Sequence, residues 1–351
     1  MKYKVIQWAT GAMGKSCLRA VIDHPDLELA GLFVYSNSKA GLDAGEIAKR
    51  EATGIFATRN IDEILSLDAD VVIHAPRLQP PYTHHNFDIC RLLASGKNVI
   101  SINGHTYPQY WGKKYLNTFE KACRQGRSTL FGTGLNPGFI VEKIAAVATG
   151  LCSQIDHICI SEIADGTLMQ NPNYVFDILG FGARCGSIDP NDPDWAPAEI
   201  LNGMYKEVVA GLVDRLGLKL ERIETDHIML PATQDLSIPA GRIKKGTIGH
   251  TNWRWHGIVN RKRFITLSIS WIMETAHLKN PDYNLWNIDI RGLPGVKMAI
   301  DLKNPDDYPF RTSPEQLAVA SSVVNSIPAV CKATPGVMEI PVANHFRSCF
   351  D

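Results

Sequence analysis

Apolar positions in the first part of the chain come in short unbroken runs, and between those runs the spacing turns helical. Lys4–Trp8, Asp26–Tyr35, Asp70–Ala75, Lys97–Ile102 and Ser128–Gly132 read as strands. Lys15–Ile22, Asn60–Leu67, Tyr82–Ser95 and Lys113–Gln125 read as helices, the third stopping at Gly96. Strands alternating with helices at these lengths predict a parallel sheet covered on both faces, with a ligand site at the carboxyl ends of the strands.

Near residue 150 the pattern changes. Helical spacing covers Ile140–Leu151, and strand-like stretches then dominate: Ile155–Ile163, Leu220–Leu230, Thr247–Val259, Phe264–Met273, Leu285–Arg291 and Val296–Leu302. One long helix, Pro197–Leu216, lies among them, and Asp189–Pro197 reads as an exposed loop. Consecutive strands without intervening helices predict a mostly antiparallel sheet and an α+β domain. The expected division is residues 1–145 and 146–312, with a last helix over 313–328 returning to the first domain and stopping at Ile327-Pro328. Trp253 and Trp255 share one face of their strand and Arg254 and His256 the other, so the tryptophans line a core, an apolar cleft or an interface between copies.

Composition narrows the class. The chain has 351 residues, 36 Lys+Arg against 36 Asp+Glu, so no whole-chain field attracts nucleic acid or an anionic membrane. Lys244-Lys245 and Arg261-Lys262-Arg263 are basic only locally, at expected turns. Eight scattered cysteines contain no C-x-x-C and no zinc-like grouping with histidine, so reduced thiols and no metal site are expected. No apolar run reaches the ~18 residues of a membrane span, and with the first strand starting so early no cleavable leader is expected. A cytoplasmic protein is expected.

Candidate chemistry gathers at the first strand-to-helix turn, Ala9-Thr10-Gly11-Ala12-Met13-Gly14. Gly11 and Gly14 fill the second and third glycine places of the dinucleotide turn G-x-G-x-x-G, where backbone approaches a pyrophosphate and helix packs on strand. Ala9 stands at the first place and suits it only at negative φ. The second strand runs into Tyr35-Ser36-Asn37-Ser38-Lys39 with no carboxylate at its end. Ser36, Asn37 and Lys39 therefore favour the 2′-phosphate of NADP, with NAD the alternative and Asp43 a later candidate for ribose hydroxyls. Ala75, Pro76 and Asn103 at later strand ends, and Asn136-Pro137 at a helix start, complete the expected cofactor contacts.

Hydride transfer next to an oxygen or nitrogen needs a proton donor or a stabilising hydrogen bond. His105 and Tyr107, after the strand Lys97–Ile102, are the titratable candidates in the first domain. Glu162 and Asp165 form a candidate acidic pair at the end of the second domain's first strand, and Tyr174 and Phe176 are expected to cover a substrate.

Four stretches in order, Ala9–Gly14, His24–Leu29, Lys39–Glu46 and Thr133–Phe139, resemble the dihydrodipicolinate-reductase-like oxidoreductases, and within them the 2,4-diaminopentanoate dehydrogenase and native amine dehydrogenase branch. The resemblance implies an α/β chain: an N-terminal Rossmann domain and an α+β domain that dimerises through its sheet. It also implies hydride transfer between a nicotinamide and a C=N or C=O carbon. Two family patterns are absent. No His-His and Lys stretch leads into Ser-Gly-Thr in the second domain, and the strand-end glutamate of the amine dehydrogenases is replaced by Asn103, Gly104 or His105. The expectation is an NADP-dependent oxidoreductase, homodimeric, acting on a small carbonyl, imine or amine substrate in the interdomain cleft, with His105 assisting the proton step. An amine dehydrogenase using Glu162 and a nucleotide-binding protein without turnover are the alternatives.

Overall fold

The computed structural model describes residues 2–308 and 312–349. Met1 and residues 309–311, which fall within the expected domain ranges, lie outside the described residues. The chain divides into two compact units, Met1–Lys143 with Lys303–Pro341, and Ile144–Leu302 with Val342–Asp351.

Unit 1 opens with β1 (Tyr3–Trp8), α1 (Ala12–Asp23), β2 (Leu27–Phe33), α2 (Ala44–Ala48), β3 (Ala57–Thr58) and α3 (Ile61–Ser66). It continues with β4 (Val71–His74), α4 (Asn86–Ala94), β5 (Asn98–Ser101), α5 (Lys113–Gly126) and β6 (Thr129–Gly132). Val5, Ile6, Val71, Val72, Ile73, Val99 and Ile100 are fully buried, as strands covered on both faces must be. The strands pair in parallel in the order β6-β5-β4-β1-β2-β3. Strand order reverses between β1 and β4, so their carboxyl ends frame the crevice where such sheets hold a ligand.

A wide helical turn, Ile140–Ala145, leads through α6 (Ala146–Thr149) into unit 2. There β7 (Gln154–Asp165), α7 (Ala196–Arg215), β8 (Arg222–Thr225), β9 (Ile228–Pro231), the hairpin β10 (Leu236–Ile238) and β11 (Gly241–Ile243), β12 (Ile248–Val259), β13 (Lys262–Ile272), β14 (Trp286–Leu293) and β15 (Val296–Ile300) follow. Six of these form a sheet in the order β15-β14-β7-β13-β12-β8, and β9 also pairs with β12. Only β7–β13 is parallel among the described pairs, so the sheet is mostly antiparallel.

The two tryptophans of β12 are core. Trp253 stacks on Trp195 at 5.6 Å, and Trp255 donates its indole N–H to Asn202 Oδ1 of α7 at 2.8 Å. The single strand expected over 220–230 is broken at Asp226-His227. The His227 ring packs against both tryptophans, and its Nδ1 accepts the Arg254 backbone N–H at 2.9 Å, a donor that would otherwise serve the ladder.

The chain then returns to unit 1 as α8 (Pro314–Lys332) and β16 (Gly336–Met338), which adds to β6 in parallel. The helix does not stop at Ile327-Pro328. Pro328 lies inside it, and Val323, Val324, Ile327 and Val330 form one buried stripe across the proline. Burial of that stripe offsets the hydrogen bond Pro328 cannot donate.

Candidate nucleotide site

The turn between β1 and α1 is closed on one side and open on the other. A Cβ on Gly14 would stand 2.3 Å from the Ala9 carbonyl oxygen, whereas a Cβ on Gly11 meets nothing within 4 Å. Helix and strand therefore touch at Gly14, and the outer side at Gly11 is free for a ligand to approach backbone. No side chain caps α1 and its first turn carries no acidic residue, so its N-terminal amides and dipole are available to an anion. These residues fit a dinucleotide's pyrophosphate.

Ala9 departs from expectation. Its φ is +72°, the left-handed region, although it carries a Cβ. The turn keeps the geometry of its first glycine place without the glycine.

At the end of β2, Lys39 Nζ donates to Thr10 O and Thr10 Oγ1, both at 2.9 Å, tying this loop to the turn. Partial burial and the nearby Lys15 lower the Lys39 pKa. Ser36, Asn37 and Ser38 are exposed, and the Ser36 and Ser38 hydroxyls are 2.7 Å apart. Arg59, just past β3, donates to Tyr35 O at 3.0 Å and to Asn37 Oδ1. This guanidinium was not legible in the sequence, because β3 has two residues and gives no periodic signal.

Asp43, the later ribose candidate, is tied into its own loop. Its carboxylate accepts the backbone N–H groups of Thr53, Gly45 and Gly54 and the Thr53 hydroxyl, bonds that hold its pKa below the usual range, with the Thr53 N–H the largest cause. It caps α2.

The ends of β4 and β5 are clasped together. Asn103 Nδ2 donates to Pro76 O at 2.8 Å, Asn103 N–H donates to Ser101 Oγ at 3.2 Å, and Ala75 N–H donates to Trp8 O at 3.0 Å. His105 belongs to the same clasp and is 3% exposed. Its Nε2 pairs with Asn86 Oδ1 at 3.0 Å and its Nδ1 with Ser101 Oγ at 3.1 Å, while its backbone N–H donates to Tyr82 Oη at 3.0 Å. Asn86 Oδ1 accepts only, so the tautomer carries its proton on Nε2 and Nδ1 accepts from Ser101. Burial, with His85 nearby, pushes the His105 pKa down to about 4. The expectation of a titratable ring assisting the proton step meets a ring that is neutral, enclosed and bonded at both nitrogens. Tyr107 is half-buried and precedes a short helical turn, Pro108–Trp111. Asn136, half-buried, is joined to Pro137 by a cis bond, and Gly138 N–H donates to the buried Glu142 carboxylate at 2.9 Å.

In unit 2 the acidic pair separates. Glu162 and Asp165 are three residues apart on β7 and so point to opposite faces. Glu162 accepts the Trp286 indole N–H at 2.9 Å, and Asp165 accepts Thr167 N–H at 2.8 Å, closing a turn. Tyr174 is 36% exposed on a helical turn over Asn173–Ile178. Phe176 packs against a core of Val175, Leu179, Phe181 and Ile243, so its ring is a core element. Among the described residues no His, Cys, Asp and Glu cluster can hold a metal, and no helix is long and apolar enough to cross a membrane.

Residues 5–101 match the family model of the dihydrodipicolinate reductase N-terminus. Together with the crevice and the glycine turn, this makes the chain an oxidoreductase that uses a nicotinamide nucleotide, similar in its first strands to the dihydrodipicolinate reductases. Within that class its likeness is to two dehydrogenases. It is 25% identical to an amine dehydrogenase of Streptomyces virginiae over 96% of both chains. It is 22% identical to the 2,4-diaminopentanoate dehydrogenase of Acetoanaerobium sticklandii, over 97% of this chain and 94% of that one. An amine dehydrogenase from Mycobacterium smegmatis shares the fold with a TM-score of 0.78 at 17% identity, covering 99% of both chains.

Proposed function

We propose that the protein is an NADPH-dependent reductase of a carbonyl or imine carbon in a small organic molecule. The observation that carries the cofactor choice is the end of β2. Lys39 and two serine hydroxyls stand on the loop after β2, Arg59 bonds that loop, and the nearest carboxylate in sequence, Asp43, accepts hydrogen bonds from Gly45, Thr53 and Gly54. A 2′-phosphate dianion suits two cations and two hydroxyls better than a neutral ribose diol does. Gly11, Ala12, Met13 and Gly14 receive the pyrophosphate, and Ala75, Pro76, Asn103, Asn136 and Pro137 flank the nicotinamide half. When bound, the nicotinamide supplies or takes the hydride.

In this reading His105 is a positioning residue that holds Ser101 and Asn103 at the strand ends, and Tyr107 is the proton-handling group of unit 1. The protein acts as a cytoplasmic homodimer. The half-buried Asn252, Thr266, Ser268 and Ser270 on the sheet face opposite α7 support a second copy there.

The test compares kcat/KM for NADPH and NADH over a panel of ketones and aldehydes. NADPH is expected to be preferred at least tenfold. Arg59→Ala is expected to lower kcat/KM for NADPH by about 10- to 100-fold, the value of a charge-assisted hydrogen bond, and to leave NADH within about twofold. Equal losses with both cofactors would remove the 2′-phosphate assignment.

A second reading, reductive amination, is favoured by the two whole-length relatives named as amine and diamine dehydrogenases. Glu162 is then the group for the amine protons. The same panel with and without ammonium decides: NADPH oxidation that rises with ammonium selects this reading, and ammonium-independent oxidation selects carbonyl reduction.

A further inference from the structure

Gln7 is a polar residue in the one place where unit 1 has least use for one. It lies within β1 between the buried Ile6 and Trp8 and is itself 0% exposed. Its Nε2 donates to Ala9 O at 2.9 Å and to Trp8 O at 3.2 Å. Both partners are carbonyls, which only accept, so the orientation of the amide is fixed. Its Oε1 is buried with no hydrogen-bond partner. An apolar side chain of the same shape would avoid that cost, so the amide is held for its donor alone.

The acceptor it reaches is the distinctive atom of the turn. Ala9 O is the oxygen against which Gly14 packs, 2.3 Å from where a Cβ would stand, and Ala9 is the residue forced to φ +72°. The Gln7 nitrogen itself lies 3.3 Å from that Cβ position. Gln7 thus sits in the strand-to-helix corner, gripping the carbonyl whose placement turns the chain toward Gly11.

We infer that Gln7 is a positioning residue for nucleotide binding: its amide holds Ala9 in the left-handed conformation that a glycine would adopt freely. The inference rests on the nucleotide reading of this turn. A left-handed alanine relaxes toward negative φ when released, which rotates the following peptide and moves the N–H groups of the turn away from the pyrophosphate. Glycine at position 9 carries no such strain, so it makes the amide dispensable.

The experiment is a cycle of Gln7→Met, Ala9→Gly and the double variant in the full chain, reading NADPH Kd by titration together with kcat and KM. Gln7→Met is expected to raise Kd and KM for NADPH about tenfold with kcat little changed. Ala9→Gly is the reference without left-handed strain, and the double variant is expected to return to within about twofold of that reference. Unchanged affinity in Gln7→Met, or a double variant about tenfold weaker than Ala9→Gly, overturns the inference. If Gln7→Met does not fold, the comparison of the double variant with Ala9→Gly decides alone. A double variant that also fails to fold overturns the inference, because the amide then holds the strand and not the turn. Failure of the parent protein to bind either nucleotide is a separate result, which removes the nucleotide reading itself.

Discussion

Gly14→Ala is expected to abolish measurable NADPH binding and to cost about 2–3 kcal/mol of stability, the upper range for an overpacked core position. The added methyl would stand 2.3 Å from Ala9 O, a backbone atom fixed by the Gln7 amide, so no flexible side chain can give way. Either α1 moves off β1 or the turn opens, and both displace the amides that face a pyrophosphate. Gly11→Ala is the matched control. Gly11 has φ −65° and open space around it, so alanine is accommodated and stability is expected within about 0.5 kcal/mol of the parent. Its methyl nonetheless projects to the side where the nucleotide approaches, so Kd for NADPH is expected to rise at least tenfold. Urea unfolding and nucleotide titration of the two variants separate the effects. Equal stability losses would contradict the one-sided turn.

Stability is expected to fall steeply as pH drops from 6.5 to 4. The His105 pKa is about 4 in the folded chain against an ordinary value of 6.5, so between those values the unfolded chain holds a proton that the folded chain lacks. The stabilisation is therefore complete above pH 6.5 and lost on descending to pH 4. His105 alone accounts for about 3 kcal/mol over that window. His74 adds in the same direction. It lies at the end of β4, its pKa is held well below 6.5 chiefly by burial and also by His85 and His105, and neither ring nitrogen has a hydrogen-bond partner. His227 and His250, both lowered to about 4 mainly by burial, act likewise in unit 2. Urea unfolding at pH 7.5, 6 and 4.5 checks the slope. His105→Gln, which has no proton to take up, is expected to be less stable at every pH and to show a shallower fall. A fall as steep as the parent's would remove His105 as its source.

How much of this was legible in the sequence follows from which signals are local. The alternation of apolar runs and helical spacing up to residue 132 located β1, β2, β4, β5 and β6, because each buries a continuous apolar run. Gly11 and Gly14 marked the turn for the same local reason. What escaped depends on partners distant in sequence. β3 and β16 are two- and three-residue strands defined only by the neighbour they pair with. α8 passes Pro328 because of the stripe it buries. The site divides in the same way. Lys39 was visible as a cation at a strand end, whereas Arg59 reaches that end from β3, 22 residues past the Asn37 it contacts. His105 was visible as an imidazole, but its neutrality comes from burial against Tyr82 and Phe119, with His85 nearby. Glu162 and Asp165 are only three residues apart in sequence, yet the strand's alternation sends them to opposite faces.

The late return of the chain to unit 1 sets an order of assembly. β6 has β5 on one side and β16 on the other, and β16 ends at Met338, more than two hundred residues after β6. On a ribosome the strands β1 to β6 and α1 emerge long before α8 and β16 exist. Until then the outer edge of β6 presents unpaired backbone donors and acceptors, and α1 lacks the helix packed along it. Unit 2, apart from its closing segment, is synthesised within that interval. The nascent chain therefore carries an unfinished nucleotide unit while its inserted neighbour is nearly complete.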